Sequence, residues 1–186
     1  LTSGKFGRVF GGNKSGGKID GYIEVNIEEN PECSTPIIIG GLYGGGNEAP
    51  YTVPQSYVDG WKAQYGPDAD YPSPRVNVRA FTSIGNIYGG GFGASATVTG
   101  NPLVNINVVE GGREYAGEDK PLEDGTTVTL HARSKDAKMG VIGNVFGGGN
   151  AAKVIGNPRV EVGTAAKQKM LSLQTKDAAG TVHEVE

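Results

Sequence analysis

The stretch GVIGNVFGGGN at residues 140–150 decides the fold, because closely related phrases occur three more times in the chain. Residues 83–91 read SIGNIYGGG, residues 38–47 read IIGGLYGGGN, and residues 5–13 read KFGRVFGGN. Such recurrence indicates a repeat architecture, in which each copy forms one structural unit. Each phrase contains one aromatic residue, and together these are Phe10, Tyr43, Tyr88 and Phe146. We expect their rings to stack in a structural ladder, and a stripe that stacks on sugars is the alternative.

The last repeat shows the pattern best, because no insertion interrupts it. Apolar segments at 141–146, 152–155 and 159–162 are separated by corners rich in Gly and Asn, which tolerate positive φ angles. Three short strands with such corners match one coil of a parallel β-helix. The sequence therefore predicts an all-β fold, a right-handed parallel β-helix (solenoid) of about four coils with two loop or hairpin insertions. This single domain would cover residues 1–186 and be a fragment of a longer chain.

Apolar periodicity suggests how the repeats face the core. In the third strand of the first repeat, Ile23, Val25 and Ile27 alternate with polar or aromatic residues, as in a half-buried strand. In every phrase a glycine stands three residues before the aromatic, between two apolar positions. We interpret this glycine as a bend or bulge that lets both apolar neighbours reach the core.

Insertions lengthen the second and third repeats. Residues 48–74 form an aromatic-rich insertion, and residues 110–138 form a charged segment predicted to be a hairpin. Residues 168–186 are predicted to form a C-terminal hairpin. Insertions at the corners of a repeat protein are where functional loops commonly arise.

The composition argues against several classes of function. The net charge of −3 is spread over the chain, which argues against nucleic-acid binding. No apolar run approaches the ~20 residues of a membrane-spanning segment. Cys33 is the only cysteine, so neither a disulfide nor a cysteine-based metal site is expected. We predict no cofactor and no metal, because the acidic groups at 59–70 and 119–124 lack the spacing of a calcium loop.

No catalytic residues stand out. The outward positions of the third strands carry residues such as Glu24, Asn77, Asn105 and Glu161, which do not build a carboxylate pair at one height. Stacked asparagines are common in such repeats, because their amides form ladders. We therefore predict that the protein is not an enzyme.

The aromatic insertion is the best candidate for a binding site. Its aromatic residues, mixed with Asp and Gln, are of the types that stack on sugar rings and bind their hydroxyl groups. They are Tyr51, Tyr57, Trp61, Tyr65 and Tyr71. The alternative is that these rings only fold the insertion onto the wall of the domain.

The repeat phrase, together with the pattern Val-x-Gly-Asn-Pro-x-Val at 98–104 and its copy at 154–160, resembles a known kind of sequence. It is similar to the glycine-rich repeats of adhesin-like β-helix proteins on the cell surface of Bacteroidota. The resemblance implies an extracellular or cell-surface location and supplies no catalytic residues. We expect a non-enzymatic structural or adhesive segment that binds glycans, a host surface or another bacterial surface. A fragment of a polysaccharide-cleaving enzyme is the alternative, and end-to-end self-association is a further expectation.

Overall fold

The computed structural model describes residues 1–30, 33–106, 118–121, 127–130, 140–163, 173–176 and 182–185. Side chains are described for residues 1–30, 33–106 and 140–163. The chain divides into two compact units. The first comprises Leu1–Asn107 and Lys138–Val162, and the second comprises Val108–Ala137 and Gly163–Glu186.

Three small parallel sheets build the first unit. Sheet 1 contains β1 (Lys5–Phe10), β3 (Ile38–Tyr43), β6 (Ser83–Tyr88) and β11 (Val141–Phe146), in that spatial order. Sheet 2 contains β4 (Tyr51–Thr52), β7 (Val98–Thr99) and β12 (Val154–Ile155). Sheet 3 contains β2 (Glu24–Glu28), β5 (Pro72–Ala80), β8 (Asn101–Ile106) and β13 (Arg159–Val162). We use the term rung for the consecutive strands that the chain forms when it passes through the sheets once. The first rung consists of β1 and β2, and the terminal rung consists of β11, β12 and β13.

The repeated phrases align in sheet 1 without a register shift. Leu42 pairs with Val9 on one side and with Ile87 on the other, and Ile87 pairs with Val145. Ile39, Leu42, Ile84 and Ile87 are fully buried, so both apolar positions of each inner phrase reach the core. Val76, Val78 and Val104 of sheet 3 belong to the same buried cluster. The main core therefore lies between sheets 1 and 3.

The glycine between the two apolar positions serves a close approach between neighbouring strands. A Cβ atom on Gly40 would stand 2.5 Å from the carbonyl oxygen of Gly7, and one on Gly85 would stand 2.5 Å from that of Gly40. Such distances leave no room for a side chain. The recurring glycine is thus required by the strand beside it, and a bend alone does not account for it.

In three of the glycine-rich corners, the residue directly after the Asn or Phe of the corner has a positive φ angle. Glu48 has a φ of 52°, Ala151 of 53° and Gly93 of 90°. The corner residues before them, Asn47, Phe92 and Asn150, form a column of isolated parallel bridges. The chain therefore turns at Glu48, Gly93 and Ala151, whose backbone lies in the left-handed region.

The predicted all-β, right-handed parallel β-helix of about four coils is wrong as a description of the chain. The parallel strands form three separate small sheets, and helix α1 (Gln55–Tyr65) lies between β4 and β5. The fold is mostly β with parallel sheets and a helix, an α/β arrangement, and not a single solenoid. The helix forms because residues 55–65 lack period-two alternation, Pro54 precedes them, and Gly66 ends them with a φ of 106°.

Antiparallel strands are found in the second unit. They are β9 (Glu118–Pro121), β10 (Thr127–Leu130), β14 (Leu173–Lys176) and β15 (Val182–Val185), arranged in the order β15-β14-β10-β9. β9 pairs with β10, and β14 pairs with β15, both antiparallel. The remaining residues of the predicted segments 110–138 and 168–186 lie outside the described residues.

Candidate functional site

Helix α1 places three aromatic rings along one of its faces. Tyr57, Trp61 and Tyr65 follow each other at intervals of four residues, which puts them next to one another on a helix. The ring centroids of Tyr57 and Trp61 are 6.0 Å apart, and those of Trp61 and Tyr65 are 4.5 Å apart. The sequence predicts these three residues as binding candidates, and the structure brings them together.

A fourth ring extends this group from another part of the chain. Tyr22, just before β2, stacks on Tyr57 with a centroid distance of 5.0 Å and an interplanar angle of 25°. Sequence reasoning missed Tyr22 as a binding candidate because it lies outside the insertion. Its outward position in the alternating segment 22–27 was the available signal. We call Tyr22, Tyr57, Trp61 and Tyr65 the aromatic surface.

The two end rings of the aromatic surface are exposed to solvent. Tyr22 is 54% exposed and Tyr65 is 42% exposed, whereas Tyr57 and Trp61 are half-buried. Tyr57 packs against the smaller buried cluster of the unit, and its hydroxyl donates a hydrogen bond to the carbonyl oxygen of Pro72 at 3.3 Å. These contacts therefore fix the position of Tyr57.

Exposed residues of the helix flank the rings on both sides. At 100° per residue, Gly60 and Gln64 lie on the same side of the helix as Tyr57, and both are exposed. The exposed Gln55 and Asp59 lie on another side, where the Gln55 amide donates to the Asp59 carboxylate at 2.8 Å. The face that carries the rings thus offers an amide at Gln64, and the exposed Lys62, three residues before Tyr65, lies at its border.

Two of the predicted binding residues belong to the scaffold. Tyr51 is 3% exposed, and its hydroxyl donates to the carbonyl oxygen of Gly21 at 3.0 Å and shares a 2.6 Å hydrogen bond with the Ser73 hydroxyl. Burial raises the pKa of Tyr51, and the hydrogen bond with Ser73 partly opposes this rise. Tyr71 is half-buried and packs against the same cluster. Neither residue is part of the aromatic surface.

The aromatic residues of the four phrases form one continuous stack. Successive centroids are 4.7 Å apart from Phe10 to Tyr43, 5.0 Å from Tyr43 to Tyr88, and 4.8 Å from Tyr88 to Phe146. Phe92 meets the rings of Phe10 and Tyr43 edge-on, and the Arg8 guanidinium lies 4.3 Å from the Phe92 centroid. The faces of the inner rings cover each other, so this stack is structural and leaves only its end rings open.

The outward side of sheet 3 holds a polar network. The Arg75 guanidinium donates to the Glu24 carboxylate at 2.7 Å, and the Asn77 amide donates to the same carboxylate at 3.1 Å. The Asn105 amide donates to the Asn77 side-chain oxygen at 2.9 Å, which continues the amide ladder between strands. Arg159 forms a separate ion pair with Asp70 at 2.8 Å. These contacts hold neighbouring rungs together.

Among residues with described side chains, no cluster of three or more His, Cys, Asp or Glu residues could hold a metal ion. Cys33 is exposed and forms no disulfide. The predicted acidic group at 119–124 and the two histidines, His131 and His183, lie outside the described side chains.

Within the described part of the chain, no helix has both the length and the apolar character needed to cross a membrane. Comparisons with protein-family models, with curated proteins and with solved structures found no match. The functional interpretation therefore depends on the geometry of the chain itself.

Proposed function

We propose that the protein is a non-enzymatic structural and adhesive segment that binds glycan chains through the aromatic surface. The observation that carries the proposal is the stacking of exposed Tyr22 on Tyr57, next to Trp61 and Tyr65. The extracellular or cell-surface setting of this function rests on the resemblance of the repeat phrase to adhesin-like surface proteins.

Sugar rings fit the chemistry of this surface. The apolar faces of a sugar ring stack on aromatic rings, and tyrosine hydroxyls and the tryptophan N–H bind sugar hydroxyls. Eight residues of helix separate Tyr57 from Tyr65, a span of about 12 Å. That length exceeds one sugar ring, so a linear oligosaccharide is the favoured ligand.

Binding of oligosaccharides to the purified chain, measured by a glycan array and then by calorimetry, tests the proposal. Trp61→Ala should weaken binding about three- to tenfold, since one aromatic contact is worth about 0.5–1.5 kcal/mol. Tyr22→Ala should have a similar effect, although it lies outside the helix. Phe146→Ala is the matched control, because it removes an exposed ring far along the chain. Unchanged affinity of the Trp61 and Tyr22 variants, or no glycan bound at all, would contradict the proposal.

The rival function, cleavage of a polysaccharide, makes a different prediction. Such enzymes commonly use two carboxylates placed on either side of the bond that is broken. On the wall of sheet 3, Glu24 is engaged by Arg75 and Asp70 by Arg159. Glycans incubated with the chain should keep their length, and the appearance of new reducing ends would favour the enzyme.

A further inference from the structure

Among the residues with described side chains, apolar core positions of the terminal rung are exposed. β11, β12 and β13 are each the outer strand of their sheet. Val160 and Val162 of β13 are paired in register with Val104 and Ile106 of β8. The β8 residues are 0% and 4% exposed, whereas Val160 and Val162 are 40% and 64% exposed. The same core positions that are closed in the inner rungs are thus open at this end.

The first rung carries a glycine that its own surroundings do not require. A Cβ atom on Gly40, Gly85 or Gly143 would collide with the carbonyl oxygen of the glycine one rung earlier. A Cβ atom on Gly7 would meet nothing within 4 Å. β1 is also an outer strand, so its exposed edge can accept another parallel strand. Gly7 therefore lacks a side chain at the position where the later glycines of the column face the preceding rung.

We infer that a second copy of this chain docks head to tail, with its first rung on the terminal rung of the first copy. Continuing the register of sheet 1 places Phe6 of the second copy on Ile142, and Val9 on Val145. Phe10 of the second copy would then cover the exposed ring of Phe146 and extend the aromatic stack. Gly7 would face the carbonyl oxygen of Gly143.

Charge complementarity supports this arrangement over association through two like ends. Within the chain, Glu24 pairs in register with Arg75, and the same column continues through Leu103 to Arg159. Continuing the column places Glu24 of the second copy opposite Arg159, which pairs with Asp70 in the single chain and has a partly exposed side chain. Glu24 would then lie between two arginines, and Val25 of the second copy would cover Val160.

A short segment at the start of the chain already lies on the edge of β2. The Glu28 amide donates to the Leu1 carbonyl oxygen at 2.9 Å, and the Asn30 amide donates to the Thr2 carbonyl oxygen at 2.8 Å. Leu1 and Thr2 are exposed. β13 of another copy would use this same edge, so docking displaces the segment. We therefore expect association that becomes visible only at high protein concentration.

Two variants block one end each. Val162→Lys puts a charge at an exposed core position of the terminal rung, and at 64% exposure the lysine is tolerated by the single chain. Gly7→Val fills the open space of the first rung, where the single chain offers no clash. The interface is heterologous and does not close on itself, so one blocked end stops growth. Each variant alone should lose association about a hundredfold or more, because docking would bury an unpaired charge or a steric clash.

Sedimentation velocity over a wide concentration range provides the test, with circular dichroism as the check on folding. The unmodified chain should form a concentration-dependent series of species larger than a dimer. An equal mixture of the two variants should form a one-to-one dimer and no larger species, since it contains one intact head and one intact tail. Ala63→Lys, at an exposed position of helix α1 outside the aromatic surface, should associate like the unmodified chain.

Three results would overturn the inference. The first is an unmodified chain that stays monomeric at every concentration, which favours a covering rung from elsewhere in a longer polypeptide. The second is a variant mixture that stays monomeric, which favours association of like ends. The third is assembly of either variant alone, which places the contact on another surface.

Discussion

The carbonyl oxygen of Gly40 lies 2.5 Å from the point where a Cβ atom of Gly85 would stand. Real Cβ atoms do not approach an oxygen so closely, so any side chain at Gly85 must push two strands of sheet 1 apart. The same relationship joins Gly7 to Gly40. This contact sets the spacing between rungs in the middle of the sheet.

Gly85→Ala should therefore destabilise the protein, whereas Gly7→Ala should not. We expect Gly85→Ala to lower the free energy of unfolding by about 2–4 kcal/mol, because a methyl group overpacks a rigid backbone contact. Gly7→Ala enters open space and should change it by about 0.5 kcal/mol or less. Urea denaturation of both variants provides the measurement. Equal effects at the two positions would show that the glycine acts through strand propensity and not through contact.

The aromatic stack should contribute most at its centre. Tyr43 is fully buried and touches Phe10, Tyr88 and Phe92, so Tyr43→Ala should cost about 3–5 kcal/mol. Phe146 ends the stack and is 45% exposed, so Phe146→Ala should cost about half as much or less. Thermal unfolding at matched concentration compares the two variants. A larger loss at Phe146 would contradict the structural role of the inner rings.

Tyr51→Phe should remove a hydrogen-bonded hydroxyl while keeping the packed ring. The fully buried Ser73 hydroxyl and the Gly21 carbonyl oxygen would lose this partner, at a cost of about 1–2 kcal/mol. Tyr22→Phe, at an exposed position, is the matched control and should change stability by about 0.5 kcal/mol or less. Chemical denaturation at neutral pH measures both.

The same variant should alter the response to alkaline pH. The pKa of Tyr51 is raised in the folded state by burial, above the value of about 10 in the unfolded chain. A raised folded-state pKa contributes stability that is fully present below the unfolded pKa and is lost as the pH rises through the folded-state pKa. The stability difference between the unmodified chain and Tyr51→Phe should therefore shrink above pH ~10. A difference that stays constant there would contradict the assignment.

The ion pair between Glu24 and Arg75 should matter more than an exposed pair. Arg75 is almost fully buried, and the Glu24 carboxylate also accepts a hydrogen bond from Asn77. Glu24→Gln should cost about 2–3 kcal/mol, because a buried guanidinium loses its counter-charge. Asp20→Asn breaks the exposed pair with Lys18 and should cost about 0.5 kcal/mol or less. High salt should leave the first effect nearly intact, and a strong salt dependence at Glu24 would argue against its burial.

Sequence reasoning located the repeated strands because their signal is local. The aliphatic and aromatic positions of each phrase recur at fixed spacing, and Val9, Leu42, Ile87 and Val145 lie in neighbouring strands of one sheet. The reason for the repeated glycine was not predictable in the same way. Gly85 is constrained by the carbonyl oxygen of Gly40, a residue 45 positions earlier in the numbering.

The fold class and part of the candidate site required information that periodicity does not hold. Residues 55–65 lie within the aromatic-rich insertion, and they form three turns of helix that align Tyr57, Trp61 and Tyr65. Tyr22 joins these rings from a different repeat, and Tyr51 turns inward to Ser73. Both placements depend on how distant segments meet, and a single strand pattern does not encode them.

The Gly7–Gly40–Gly85–Gly143 column has a consequence for how such a chain evolves. Each inner strand of sheet 1 makes the same glycine contact with its two neighbours. Duplicating the coding segment for one repeat therefore inserts a strand that can make these contacts on both sides. Lengthening then needs no compensating substitutions in the rest of the molecule.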